Sequence, residues 1–270
     1  MLIRCGVLGS PIAHSLSPVL HRAAYAELGL DWEYDAHEVT EDSLGAFLDG
    51  LGPQWRGLSL TMPLKRAVVP LLDERSELVE ISGAANTVIL QDGRRMGHNT
   101  DVPGAVAALT ERHAGPWRSA IVLGGGATAT SVLLALAELG CTHAGLVVRD
   151  AGRAQETLDA VARHPHAPAL EVRTFAEELH DADVLVSTIP AGAQDDWVLS
   201  LALQVGAVFD VVYDPWPTPL AEGAGAGEVP LVSGLDLLVH QAVLQVELMT
   251  GRRPGVATLR AAGESALSER

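Results

Sequence analysis

No part of the chain restricts its fold more than Val122-Leu123-Gly124-Gly125-Gly126-Ala127-Thr128-Ala129, where an apolar run ends in three glycines and a second apolar run begins. The preceding SAIVLG reads as a strand and the following TSVLLALAELG as a helix, so the glycines form a strand-to-helix turn. Gly124 permits the tight turn, and Gly126 leaves the backbone open to a pyrophosphate. Ala129 stands where a small residue lets helix and strand pack closely. Gly125 and Ala127 complete the turn, whose amides at the helix N-terminus suit phosphate. A glycine pattern alone is a weak signal; strand before and helix after make this one a dinucleotide fingerprint.

The rhythm continues with strand AGLVV, helix GRAQETLDAVAR, a short strand near EVRTF, and strands DVLVSTI and AVFDVV. Near-continuous apolar strands separated by helices indicate an α/β fold of Rossmann type, with an open, mostly parallel sheet covered on both faces. The second strand ends in Val148-Arg149-Asp150, where ribose specificity is set. Arg149, with Arg153 a helical turn later, suits a 2′-phosphate, whereas Asp150 suits the two free ribose hydroxyls of NAD. The arginine comes first, which favours NADP. As ordinary residues both arginines would be solvated surface charges. Beyond the last strand YDPWPTPL is proline-rich and AEGAGAGE reads as flexible, before two closing helices, GLDLLVHQAVLQVELMTG and VATLRAAGESALSER.

The first hundred residues also alternate: LIRCGVLG, SPVLHRAAYAELG, WEYDAHEV, DSLGAFLDGL and RGLSLT. In the first helix Ser17 is expected at the N-cap, Pro18 in the first turn and Gly29 just past the end, with Leu20, Ala24 and Leu28 on the buried face. Asp92-Gly93 marks a two-residue hairpin turn. At 270 residues the chain has room for two modest domains. It contains no run of eighteen apolar residues, and MLIRCGVLGS has neither a charged leader nor a cleavage site, so a soluble, unexported cytoplasmic protein is expected. Cys5 and Cys141 lack metal or disulfide spacing and read as buried packing residues; no metal is expected. The net charge of -16 argues against nucleic acid as partner and requires any anionic ligand to find a local basic pocket.

Three polar clusters interrupt the apolar pattern: Ser15 and Ser17 in HSLSP, Ser59 to Lys65 in SLTMPLK, and Asn99-Thr100-Asp101. Singly each has an ordinary explanation: a cap for Ser17, strand filling for Thr61, a solvated charge for Lys65, an acid in a helix's first turn for Asp101. Together with the dinucleotide turn they form a larger pattern. GSPIAHSLSPVLH, LTMPLK, GAANT, GHNTDVPG, GGGATA, VSTIP, YDPWPTPL and GLDLLVHQA resemble the shikimate dehydrogenase family in order and spacing, over almost the whole chain.

The resemblance implies a substrate-binding catalytic domain over 1–101, completed by terminal helices 236–270, and an NADP-binding domain over 102–235. It implies reversible NADPH-dependent reduction of 3-dehydroshikimate to shikimate, in aromatic amino acid biosynthesis, by a monomer or homodimer whose partner is that small molecule. Ser15 and Ser17 would bind the substrate carboxylate, and Thr61, Asn86, Tyr213 and Gln241 its carboxylate or hydroxyl groups. Short hydroxyl and amide side chains suit a small polyol acid, because each discriminates against analogues lacking its partner. Lys65 and Asp101 would form the catalytic pair. Thr188 would join the glycine turn and arginines in holding the cofactor, and Gly234 would leave room for the nicotinamide.

Two departures stand out. The segment usually written NVTxPxK begins with Ser59, so an asparagine amide is missing while Thr61, Pro63 and Lys65 remain. The usual Asn-Arg-Thr ending reads Val148-Arg149-Asp150, which keeps the arginine and adds an acid. Two other functions share most of these motifs: a quinate/shikimate dehydrogenase using NAD, and a catalytically silent NADP-binding regulator, for which retention of both Lys65 and Asp101 has no use.

Overall fold

The computed structural model describes residues 2–175, 177 and 181–270, with the backbone but not the side chain of Arg153. In chain order the first elements are β1 (Ile3–Gly9), α1 (Ser17–Glu27), β2 (Trp32–Glu38), α2 (Glu41–Asp49), β3 (Trp55–Leu60), α3 (Leu64–Ala67), β4 (Glu74–Arg75), α4 (Glu77–Ser82), β5 (Thr87–Gln91) and β6 (Arg94–His98). Then come α5 (Asp101–Arg112), β7 (Ser119–Leu123), α6 (Ala127–Glu138), β8 (His143–Val148), α7 (Gln155–Ala162), β9 (Ala169–Thr174), β10 (Ala182–Ser187), α8 (Asp196–Ala202), β11 (Val205–Asp210), α9 (Pro219–Ala226), β12 (Leu231–Ser233), α10 (Gly234–Thr250) and α11 (Val256–Ser268). The chain falls into two compact units, Met1–Thr100 with Leu238–Arg270, and Asp101–Leu237.

The first unit is built on a mixed six-stranded sheet in the order β2-β1-β3-β5-β6-β4. β1 runs parallel to β2 and β3, and β3 and β6 run antiparallel to β5. Leu44 and Leu48 of α2, Leu58 and Leu60 of β3, and Leu64 and Val68 form a core cluster. α1 packs on α11. The β5–β6 hairpin turns at Asp92 and Gly93, both at positive φ (52° and 75°), the backbone of the type I′ turn that this dipeptide favours.

α1 corrects one expectation. Ser17 is its first helical residue; the preceding Leu16 is already in the right-handed helical region and no side chain caps it. The Ser17 N–H instead donates to Ser15 Oγ at 3.3 Å. Leu20 and Ala24 are buried as expected, joined by His21 and Tyr25, while Leu28 is only half-buried. Gly29 ends the helix at φ +65°.

The second unit carries a six-stranded sheet in the order β12-β11-β10-β7-β8-β9, and every pairing is parallel. Numbered from β7, this is the doubly wound order 3-2-1-4-5-6, whose switch point lies between β7 and β10. α6 is apolar nearly all round, with residues 129–137 buried, because α5 and α7 flank it. The stretch read as flexible, AEGAGAGE, is largely helical in α9. Thr218 Oγ1 caps that helix by accepting from the Ala221 N–H at 3.0 Å, Pro219 opens it, and Leu220, Ala221 and Ala224 are buried. Cys5 and Cys141 are free and buried, and burial pushes both thiols up to about 11. Among the described residues no helix is long and apolar enough to cross a membrane.

Candidate active site

In the first unit the end of β3 and the short α3 position one group of predicted residues. The Thr61 N–H donates to the Leu8 carbonyl at 2.9 Å, and Thr61 in turn accepts the Leu64 N–H at 2.8 Å, which winds the chain into α3. Leu64 is fully buried and anchors that turn, leaving Lys65 half-buried beside it. The Lys65 carbonyl accepts from the Ala85 N–H at 2.8 Å, tying α3 to the residue before Asn86.

Asn86 is the centre of a buried polar network. Its Nδ2 donates to Thr100 Oγ1 at 2.9 Å and to Gln241 Oε1 at 3.2 Å, and its Oδ1 accepts from the Thr100 N–H at 2.8 Å. Gln241 Nε2 donates to the Leu238 carbonyl at 2.9 Å, one turn back on α10. The structure thus brings Asn86 and Gln241 together. Ser15 is half-buried, and Ser17 is 6% exposed. Ser59 is buried and bonded on both sides: Tyr34 Oη donates to it at 2.6 Å and it donates to Gln245 Oε1 at 2.9 Å.

The second unit holds the remaining candidates. Gly124 directly follows β7 at φ +101°, and a Cβ there would collide with Thr188 Oγ1. Only glycine fits both the backbone and the space. Thr188, at the tip of β10, donates from Oγ1 to the Leu123 carbonyl at 2.8 Å, joining the two strands at the switch point. A Cβ on Gly126 meets nothing within 4 Å, so no contact within the chain requires glycine there and the space at the start of α6 is open. A phosphate approaching the backbone would use that space. Thr157 of α7 secures the turn from behind, donating to the Gly125 carbonyl at 2.9 Å and bonding Thr130 at 2.9 Å. Ala127 opens α6 and Ala129 is fully buried, as close helix packing requires.

Arg149 follows β8 and is exposed. Asp150 Oδ1 accepts the Gly152 N–H at 2.9 Å, capping the turn that leads to α7. The Arg153 side chain lies outside the described residues. Tyr213 is half-buried in the segment after β11. That segment is held by Asp210, fully buried, which accepts from Thr218 Oγ1 (2.6 Å), Gln194 Nε2 (2.8 Å) and the Val212 N–H (3.2 Å). Burial raises the Asp210 carboxyl against these donors. Gly234 has a reason internal to the fold: a Cβ there would lie 2.3 Å from the Val211 carbonyl oxygen. Asp101 is buried and is the first residue of α5, next to the Thr100 that binds Asn86.

Sequence reasoning missed Tyr34, Thr87, Gln245, Thr130, Thr157 and Asp210. A polar residue on the apolar run of α10 was the one local sign of Gln245. Among the described residues no group of three or more His, Cys, Asp or Glu could hold a metal ion.

The glycine turn, the open space before α6 and an arginine at the second strand tip fit a dinucleotide carrying a 2′-phosphate. Comparison with known proteins extends this. The family model described as shikimate dehydrogenase substrate binding domain matches residues 7–88, and that described as shikimate 5′-dehydrogenase C-terminal domain matches residues 234–262. Shikimate dehydrogenase (NADP(+)) of Bacillus cereus is 32% identical over 264 residues, covering 94% of this chain and 95% of its own. The shikimate dehydrogenase structure from Mycobacterium tuberculosis is 40% identical, with a TM-score of 0.88, covering 97% of this chain and 99% of that one. Shikimate 5-dehydrogenase from Thermus thermophilus, solved in complex with NADP(H) and shikimate, is 32% identical with a TM-score of 0.86, covering 98% and 100%. With such identity along nearly its whole length, this chain belongs to the shikimate dehydrogenase family.

Proposed function

We propose that this protein catalyses the reversible NADPH-dependent reduction of 3-dehydroshikimate to shikimate. The observation that carries the reading is the relative solved with both NADP(H) and shikimate, which matches this chain from end to end. Residues 1–101 and 236–270 serve the substrate, and residues 102–235 the cofactor. Gly124, Gly125, Gly126, Ala127 and Ala129 take the pyrophosphate, Arg149 and Arg153 the 2′-phosphate, and Thr188 and Gly234 the nicotinamide side. When bound, NADPH supplies the hydride.

Reduction of a ketone develops negative charge on its oxygen, where a proton must arrive. Lys65 Nζ, as an ammonium, stabilises that charge and donates the proton; in the oxidative direction, neutral, it accepts the alcohol proton. Asp101 is the carboxylate of the catalytic pair and holds a substrate hydroxyl. Ser15 and Ser17 bind the substrate carboxylate, while Thr61, Asn86, Tyr213 and Gln241 bind the remaining polar groups. Each such side chain rejects an analogue that lacks its partner, since its own polar atoms would be left unpaired.

The enzyme works in the cytoplasm, as a monomer or homodimer; its two free thiols suit a reducing compartment. The test is a four-way assay of shikimate and quinate, each with NADP and with NAD. Shikimate with NADP should give the highest kcat/KM. Comparable turnover of quinate with NAD would replace this reading by a quinate/shikimate dehydrogenase, and no turnover in any combination by a silent NADP-binding protein.

A further inference from the structure

The amide missing from position 59 is matched by one that arrives from another part of the chain. Gln245, one helical turn beyond Gln241 on α10, is 1% exposed. Its Nε2 donates to the Asn86 backbone carbonyl at 3.0 Å and to Thr87 Oγ1 at 2.9 Å, while its Oε1 accepts from Ser59 Oγ at 2.9 Å. The run extends both ways, since Tyr34 Oη donates to Ser59 Oγ at 2.6 Å and Thr87 Oγ1 donates to Asn86 Oδ1 at 2.9 Å.

Backbone groups fix the sense of these bonds. A carbonyl only accepts, so the Gln245 atom facing the Asn86 carbonyl is the NH₂ and its oxygen faces Ser59. Ser59 then uses its one proton on Gln245 and can only accept from Tyr34. At the other end the Thr100 N–H only donates, which makes the Asn86 atom it meets Oδ1 and directs Nδ2 to Thr100 Oγ1 and Gln241. The Gln245 amide therefore commits the Ser59 proton to its own oxygen and, by donating to Thr87 Oγ1, leaves the Thr87 proton for Asn86 Oδ1.

We propose that Gln245 is a positioning residue, whose amide does from α10 what an asparagine at position 59 would do from β3. It holds Asn86 at its backbone carbonyl and, by way of Thr87 Oγ1, at its side chain, together with the end of β3 that leads to Thr61 and Lys65. The proposal rests on the function given above, in which Asn86 and Thr61 hold substrate groups. Without the amide, Ser59, Thr87 and the Asn86 carbonyl each lose a buried partner, and the segment leading to Thr61 and Lys65 loosens.

Steady-state kinetics on the wild type, Gln245→Ala, Ser59→Asn and the double variant test it. Gln245→Ala should raise the shikimate KM about three- to tenfold, the worth of one or two ordinary hydrogen bonds, and leave the NADP KM within about twofold. Ser59→Asn alone should also raise the shikimate KM, because the longer side chain meets the Gln245 amide. The double variant moves the amide from α10 to β3 and should return the shikimate KM to within about twofold of wild type.

An unchanged shikimate KM in Gln245→Ala, equal rises in both KM values, or a double variant no better than the worse single one overturns the proposal. If Gln245→Ala does not fold, Gln245→Glu decides: its carboxylate cannot donate to the Asn86 carbonyl, so the ratio of its shikimate KM to that of wild type should climb as rising pH ionises it. A ratio that stays at one overturns the proposal. Wild-type protein that does not oxidise shikimate with NADP overturns the functional reading itself, and this inference with it, before any variant is compared.

Discussion

After β8, Arg149 and Asp150 speak for opposite cofactors in the sequence, and the local geometry separates their roles. Asp150 is engaged in the turn, its Oδ1 accepting the Gly152 N–H, so its presence has a conformational reason independent of any ribose. Asparagine keeps that acceptor. Asp150→Asn should therefore preserve the turn while removing a negative charge near the proposed 2′-phosphate site, and the NADPH KM should fall by about two- to fivefold, the scale of an exposed charge pair. Arg149→Ala should weaken NADPH by roughly ten- to a hundredfold, as loss of a charge-assisted bond implies, with NADH nearly untouched. Parallel changes for both cofactors would place Arg149 against a shared group. At the other end of the chemistry, Lys65→Ala should lower kcat by ~10²- to 10⁴-fold, the usual worth of a positioned acid-base group. The shikimate KM should change little. A variant retaining most of its kcat would make Lys65 a bystander.

The glycine turn depends on a neighbour that its own sequence does not contain. Thr157 of α7 pins the Gly125 carbonyl and is fully buried with Thr130, which fixes the peptide that joins Gly125 to Gly126. Thr157→Ala should raise the KM for NADP and NAD together by about three- to tenfold, because both share the pyrophosphate, while the shikimate KM stays put. A change confined to NADP would refute that account. The contrast with Thr157 explains what the sequence could disclose. The glycine turn, the Asp92-Gly93 hairpin and the parallel sheet were readable because their signals are local: a backbone requirement, a dipeptide, a run of apolar residues. α9 was not, since AEGAGAGE has little apolar contrast and its helix is set by the Thr218 cap and by burial of Leu220 and Ala224. The start of α1 was off by one residue because Ser15 and Ser17 are both plausible caps by type. In the fold it is Ser15 whose hydroxyl accepts, from the Ser17 N–H. Gln245 left still less trace, as its three partners lie 158 to 186 residues away along the chain.

For the molecule as a whole, acid poses two opposed demands. Lowering the pH from 7 towards the sequence pI of about 4.9 removes the net charge of -16 and with it a diffuse self-repulsion, which favours folding. Charges more than about 8 Å apart are largely screened at 0.15 M salt, so this gain is modest. Against it stands His21, which burial lowers to about 4 despite the raising effect of its bond to the Ser17 carbonyl. Its Nδ1 lies 2.9 Å from that oxygen, its Nε2 has no hydrogen-bond partner, and its ring stacks on Tyr34 at 3.9 Å. Above pH 6.5 the imidazole is neutral in both the folded and unfolded chain, and its contribution is fully present. Between 6.5 and about 4 the unfolded chain takes up a proton that the folded one refuses, so stability falls steadily across that window. The loss approaches about 2–3 kcal/mol at pH 4.5, larger than the screened relief of surface charge. His21→Phe keeps a ring against Tyr34 and removes the titration; the relief of surface repulsion is common to both proteins and cancels in the difference. Urea midpoints measured from pH 7 to 4.5 at 0.15 M salt should therefore fall less steeply in the variant. Its lower starting stability at pH 7, from the lost bond to Ser17, should be overtaken by the wild type's acid loss. Parallel lines would mean that His21 titrates near its ordinary value and that water reaches the stack.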